Sequence, residues 1–166
     1  TAGAIGSDQT ICSGGDPVAF TSTTAGTGSG TITYRWERNT NLTTPSWATI
    51  AGQTAATYDV PNGLTTTTQY RRVTISTQNS VACELASSAV TVTVQSAVTA
   101  GAIGSNQTIC SGGDPAAFTS TSAGTGSGTI TYRWESNTNL TTPSWTAVAG
   151  QTGATYDVPS GLTVTT

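Results

Sequence analysis

The chain carries one sequence twice. Residues 1–68 align with residues 99–166 without a gap, at a constant offset of 98, and only about ten of the 68 pairs differ. Repetition restricts the fold more than any single motif, because both copies must adopt the same structure. A period of 98 exceeds the roughly 20–50 residues of solenoid repeats and matches a small domain. We therefore predict one complete domain over residues 1–97 and an incomplete copy over 98–166, which lacks the last two strands.

The residue pattern predicts an all-β fold. In "TITYRWER", Ile32, Tyr34 and Trp36 alternate with polar residues, and "AVTVTV" alternates in the same way. Alternation with a period of two is typical of a half-buried strand. Such segments are separated by turn clusters such as "CSGGDP", "AGQT" and "TQNS". Short strands at this spacing indicate an antiparallel β-sandwich or barrel, and we expect no long helix.

Composition excludes several classes of function. Charged residues make up 8% of the chain, its net charge is -3, and it has no His. We therefore expect no nucleic-acid partner, since nothing attracts phosphate electrostatically, and no membrane span, since no apolar run reaches about 18 residues. Without a histidine base or a paired-carboxylate motif we expect no enzyme, no cofactor and no metal site. Asp16 in "SGGDP" leaves weak Ca²⁺ binding open, although one carboxylate is too few for a tight site.

Large aromatic residues are the candidate core. Trp36 lies in the third predicted strand, where immunoglobulin-like sandwiches often bury a tryptophan, and Tyr70 is placed like the tyrosine corner of such folds. Trp134 is the counterpart of Trp36 in the second copy. We predict an immunoglobulin-like β-sandwich in tandem repeats of about 98 residues. Its core residues are expected to include Trp36, Tyr58, Tyr70, Val73, Val92 and Trp134.

Arginines form the most distinctive polar pattern. Arg35, Arg71 and Arg72, together with Glu37, lie on the predicted third and sixth strands, which are neighbours in such a sandwich. We expect at least some of them to form a ladder on the solvent face. This ladder is either a contact surface for polysaccharide or a neighbouring repeat, or a set of cross-strand ion pairs that stabilise the sheet by about 0.2–1 kcal/mol each.

The sequence resembles a family of bacterial repeats. The order of "AIGSDQTICSGGDP", "TYRWE", "SWATIAGQTAATYDV", "YRR" and "SSAVTVTV" is similar to the tandem immunoglobulin-like, PKD-like repeats of giant Bacteroidetes cell-surface adhesins. That group includes gliding-motility adhesins exported by type IX secretion. The resemblance implies a secreted, cell-surface location and a structural or adhesive role without an active site.

The three cysteines are compatible with that resemblance. Cys110 repeats Cys12, and the counterpart of Cys83 would fall beyond residue 166. One pair per complete repeat explains the odd number. We therefore expect a disulfide between Cys12 and Cys83 in an oxidising, extracellular compartment. A bond between Cys83 and Cys110 is the alternative.

Two classes of function remain. The first is a non-catalytic stalk or surface-contact repeat of a large adhesin, whose expected partners are neighbouring repeats, with polysaccharide or another surface ligand as a further candidate. The second is a carbohydrate-binding β-sandwich module of a secreted hydrolase, for which Trp47 and Trp145 are the candidate exposed aromatics. We further expect the second copy to be completed either by continuation of the same chain or by strands from another chain.

Overall fold

The protein is described here by a computed structural model that covers residues 1–104 and 106–166. It divides into two compact units, unit 1 from Thr1 to Ser96 and unit 2 from Ala97 to Thr166. All regular elements of the described residues are β-strands in antiparallel or mixed sheets, which confirms the all-β prediction. No described segment is a helix of the length and apolarity needed to cross a membrane.

Unit 1 contains eight strands. They are β1 Ala4–Ile5, β2 Gln9–Cys12, β3 Ser22–Thr24, β4 Thr31–Asn39, β5 Ala48–Thr49, β6 Thr68–Gln78, β7 Val81–Ala86 and β8 Val90–Gln95. The main sheet has the order β2-β8-β6-β4-β5, and β7 pairs with the far end of β6. All of its pairings are antiparallel except that of β2 with β8, which is parallel. The alternating segments of the sequence became the long strands β4, β6 and β8.

The β6–β7 hairpin differs from the sequence-based prediction. Two strands were expected after residue 68, but β7 is a third, formed by "VACELA". Its turn is Asn79–Ser80, and both residues have positive φ, 49° and 64°. Two consecutive residues in this region form the type I′ turn, whose twist matches that of an antiparallel hairpin.

The core lies between the main sheet and a smaller β1–β3 sheet, which the isolated bridge Phe20↔Tyr58 extends. Four aromatic rings form its centre. Phe20 contacts Trp36 and Tyr70 with ring centroids 6.0 and 5.4 Å apart, and Tyr58 contacts the same two rings at 5.4 and 6.0 Å. Trp36 is fully buried and Tyr70 almost so, and the Trp36 indole donates to the Ala55 carbonyl at 2.9 Å. Val90 and Val92 of β8 complete this cluster.

Unit 2 repeats part of this arrangement. Its strands are β9 Ala102–Ile103, β10 Ser120–Ser122, β11 Glu135–Ser136 and β12 Thr146–Ala147. Trp134 again packs between Phe118 and Tyr156, with ring centroids 6.1 and 5.4 Å apart. It is only half-buried, however, whereas Trp36 is fully buried. The reason is that no described strand of unit 2 takes the places of β6 and β8, which cover these rings in unit 1.

The expected disulfide is absent, and this prediction is wrong. All three cysteines are exposed free thiols: Cys12, Cys83 and Cys110. Cys12 pairs with Gln95, beyond the end of β6 at Thr68, whereas Cys83 pairs with Ser76 near its other end. About eleven residues of strand separate these positions, roughly 35 Å at 3.3 Å per residue. A disulfide requires Cα atoms about 4.4–6.8 Å apart.

Candidate functional site

A row of polar side chains crosses the outer face of the main sheet, the face directed away from the core. We call it the charged ladder and define it as Arg35, Glu37, Arg71, Glu84 and Trp47. Strand alternation places Arg35 and Glu37 there, because Trp36 between them faces the core. Glu37 pairs directly with Arg71 of β6. The four charged side chains therefore come from three adjacent strands, β4, β6 and β7.

Glu37 is the centre of the charged ladder. Its Oε2 accepts from Arg71 Nε at 2.7 Å, and its Oε1 accepts from Arg35 Nη2 at 2.9 Å and Nε at 3.0 Å. Arg35 Nη1 donates in turn to Glu84 Oε1 at 2.9 Å. The Glu37 carboxylate is largely buried, with 8% of its side chain exposed, whereas 43% of the Glu84 side chain is exposed. The ladder therefore has a desolvated centre and an open end.

Trp47 forms the other end of the ladder. The Arg71 guanidinium lies over its ring, with Cζ 4.1 Å from the ring centroid. A cation at this distance is attracted by the negative face of the ring. Arg71 thus contacts an anion and an aromatic ring at once, which fixes its guanidinium and holds Trp47 against the sheet.

The ladder is electrically balanced. Two arginines face two glutamates, so the site carries no net charge. Hydrogen bonding to Glu84 is the main cause that raises the pKa of Arg35, and the Arg35 guanidinium holds the pKa of Glu84 below its ordinary value. Both shifts favour the charged forms, as expected for an ion-pair network. General acid–base chemistry requires instead a group whose pKa lies near the working pH.

Glu84→Gln is expected to lower the thermal midpoint of unit 1 at neutral pH and to have no effect in strong acid. The carboxyl pKa is depressed in the folded state, below the ordinary 4.5. Its contribution to the free energy of unfolding is therefore present above that value and is lost as the pH falls through the folded pKa. Melting curves across this range, with and without 1 M NaCl, test the prediction. Identical midpoints of wild type and variant at every pH would contradict it.

One predicted ladder residue lies elsewhere. Arg35, Glu37 and Arg71 are brought together, but Arg72 is fully buried on the core side of β6, so its prediction as a surface contact is wrong. The physical reason is alternation: Tyr70 points into the core, and Arg72 is two residues further along the same strand. Its guanidinium donates to the Ser22 hydroxyl and the Thr24 carbonyl of β3, and to the Ala56 carbonyl.

Two ladder residues were missed as members of this site. Glu84 is absent from the predicted ladder, because its strand was not predicted and its pairing opposite Ile75 was unknown. Trp47 was considered only as a separate exposed aromatic. The one signal in the sequence is alternation in "VACELA", which puts Glu84 on the same face as Ala82 and Ala86.

Unit 2 contains only part of a ladder. Arg133 and Glu135 form an ion pair at 2.8 Å, but their side chains are 71% and 35% exposed. Trp145, the counterpart of Trp47, is 64% exposed. No described residue of unit 2 occupies the place that Arg71 has in unit 1. In unit 1, β6 and β7 therefore supply the side chains that shield Glu37 from water and cover Trp47.

The described residues contain no group of three or more His, Cys, Asp or Glu side chains placed to hold a metal ion. Comparison with curated proteins finds no match. Comparison with solved structures finds no match either.

One protein family does match, and it does so twice. Its description is "Domain of unknown function (DUF8696)", and it covers residues 1–96 and 99–166. Together these two segments include nearly the whole sequence. The chain therefore belongs to the DUF8696 family of domains of unknown function.

Proposed function

We propose that this chain is a non-catalytic structural and adhesive repeat of a large secreted or cell-surface protein. The observation that carries the proposal is the duplication itself. The two copies share the aromatic stack, and the same backbone bonds recur: Trp36 N donates to Gln53 O at 3.2 Å, and Trp134 N donates to Gln151 O at 3.2 Å. Duplicating a self-contained fold adds length, and each unit can fold largely through its own contacts.

The proposal includes an immunoglobulin-like sandwich for the complete repeat. Three features of unit 1 support it. The order β2-β8-β6-β4-β5 faces a second small sheet. A tryptophan is buried in β4, and a tyrosine lies near the start of β6. These positions correspond to the buried tryptophan and the tyrosine of immunoglobulin-like folds.

The charged ladder supports a role in contact rather than reaction. Every charged group in it is already paired within the sheet, so the surface is preorganised without a ligand. A preorganised flat face loses little conformational entropy when it binds. We propose that it contacts a neighbouring repeat or another component of the cell surface.

A second candidate function is carbohydrate binding by an accessory module. The observation that favours it is Trp47, an outer-face aromatic next to arginine and carboxylate groups. An aromatic ring presents an apolar face, and the neighbouring charged groups supply hydrogen bonds. Such a site would bind a neutral polysaccharide, because the ladder has no net charge.

Two experiments test these functions. Antibodies against residues 1–96 should label intact cells of the producing organism, and external protease should remove the label; labelling only after permeabilisation would overturn the cell-surface role.

Affinity electrophoresis in neutral polysaccharide gels tests the second candidate. Trp47→Ala should abolish any retardation, and Trp145→Ala serves as the matched control in the second copy. No retardation of the wild type, or equal retardation of Trp47→Ala, would exclude carbohydrate binding at the ladder.

A further inference from the structure

Strand β7 has one free edge. Among the described strands it pairs with β6 alone, and its six residues make it the longest strand of unit 1 with a single neighbour. It is also exposed: Val81 and Leu85 are 65% and 59% exposed, and the Cys83 thiol is exposed between them. Natural edge strands usually carry charges, prolines or bulges that block pairing with another chain. Apart from Glu84, β7 has none of these.

The pairing of β7 with β6 determines which N–H and C=O groups of β7 point toward its free edge. The Ser87 N–H donates to the Arg72 carbonyl across the hairpin at 2.9 Å. Because orientation alternates along a strand, Cys83 and Leu85 direct their N–H and C=O groups toward β6 in the same way. Ala82 and Glu84 therefore direct theirs outward, away from β6, and their peptide groups are available to a further strand.

We propose that a second copy of this chain pairs with β7 through its own β7, antiparallel and about a two-fold axis at Cys83. In this register the Cys83 residues of the two copies are opposite each other, and Val81 of each copy is opposite Leu85 of the other. The outward groups of Ala82 meet those of Glu84 in the partner copy, which is a hydrogen-bonded pair. All outward peptide groups between residues 82 and 84 are thereby satisfied.

The side chains fit this register on both faces. On one face, apolar Val81 and Leu85 flank the paired Cys83 thiols. On the other face, Glu84 lies opposite the small Ala82, so no like charges meet. The carboxylate is already neutralised by Arg35 at 2.9 Å. This self-complementarity is the reason to name a second copy as the partner, since an isologous contact requires each residue to fit its symmetry mate.

The geometry also provides a chemical probe. The two Cys83 residues form a non-hydrogen-bonded pair, whose Cα atoms lie about 4.5 Å apart. This distance is within the range of a disulfide, about 4.4–6.8 Å. Pairing of only five residues from each strand gives a small interface, so we expect the association to be weak and reversible without the crosslink.

The first test is sedimentation of the full chain under reducing conditions over a wide concentration range. The weight-average mass should rise above the 16.7 kDa of the monomer. Ala82→Pro removes the outward N–H without touching the bonds to β6, a substitution that edge strands tolerate. It should weaken association roughly tenfold or more, since two hydrogen bonds are lost per dimer. Ala82→Glu, which opposes Glu84 of the other copy, should weaken it too, and Ala82→Lys should not.

The second test traps the pair with oxidised glutathione. In a Cys12→Ser, Cys110→Ser background, two Cys83 thiols and one oxidised glutathione give one protein disulfide and two reduced glutathiones. Crosslinked dimer should form, and Ala82→Pro should slow its formation roughly tenfold. The melting curve of Ala82→Pro shows whether unit 1 of this variant remains folded. If unit 1 is unfolded, the comparison of Ala82→Glu with Ala82→Lys is used in place of Ala82→Pro. A monomer at all concentrations, association insensitive to these variants, or only the glutathione mixed disulfide would overturn the proposal.

Discussion

Replacing Trp36 with alanine is expected to remove about 3–5 kcal/mol from the free energy of unfolding of residues 1–96. The side chain is fully buried and contacts two further rings, Phe20 and Tyr58, so its removal leaves a cavity in the centre of the core. Stability of small domains is about 5–15 kcal/mol in total. We expect the thermal midpoint to fall by roughly 15 °C or more.

The second copy supplies the matched control. Trp134→Ala removes the same side chain from the same local sequence, but Trp134 is only half-buried, and the expected loss is less than half as large. Urea titration with backbone amide signals of Val92 and Phe118 reports the two units separately. Equal losses for the two variants would show that β6 and β8 add nothing to the burial of this ring.

Arg72→Ala is expected to cost about 3–5 kcal/mol, because it removes three hydrogen bonds made by a fully buried charged group, each worth about 1.5–3 kcal/mol. The Arg72 Nη1 donates to Ser22 Oγ at 2.7 Å and to Ala56 O at 2.9 Å, and Nη2 donates to Thr24 O at 2.9 Å. Its Cζ lies 4.4 Å from the centroid of the Tyr34 ring. Alanine would remove these three hydrogen bonds, and unit 1 would lose this side-chain link between β6 and β3.

Its neighbour in sequence is the natural control for this prediction. Arg71→Ala removes a partly exposed arginine of the charged ladder, and we expect a smaller loss of about 1.5–3 kcal/mol, since one hydrogen bond to the largely buried Glu37 is lost and its ion pair with Arg35 remains. Urea unfolding of the two variants under one condition measures the difference. Similar losses at the two positions would mean that burial of Arg72 does not control its contribution. Burial lowers the pKa of Arg72, so the measurement belongs well below its titration range.

Alternation of apolar and polar residues was sufficient to predict the strands that have one clear apolar face. It located β4 and β8 and placed Trp36 and Val92 in the core, where both are fully buried. It also assigned Val73 to the core, and Val73 is buried at 3% exposure. Alternation did not predict its face, since Val73 pairs with Arg35 and lies outside the cluster around the aromatic rings. Both faces of β6 are covered, and a strand covered on both faces gives no reliable alternation.

The charged ladder was predictable only in part. Arg35 and Glu37 share a face of one strand, which alternation alone establishes. The contributions of Arg71 and Glu84 depend on register between strands, which is set by pairing and turn geometry and not by local pattern. The cysteines show the same limitation, since their separation along the sequence contains no information about which end of the sheet each one occupies.

Tension along the chain would load unit 1 in a particular way. β2 and β8 lie near its two ends and run parallel over four residue pairs, from Gln9↔Val92 to Cys12↔Gln95. Pulling the ends apart would therefore slide these strands past each other, so that all their hydrogen bonds are strained together rather than opened one by one. Resistance to force is governed by the rate of unfolding, and a shear geometry lowers that rate. Single-molecule extension should show one high-force rupture for unit 1, and opening at low force would contradict this mechanical role.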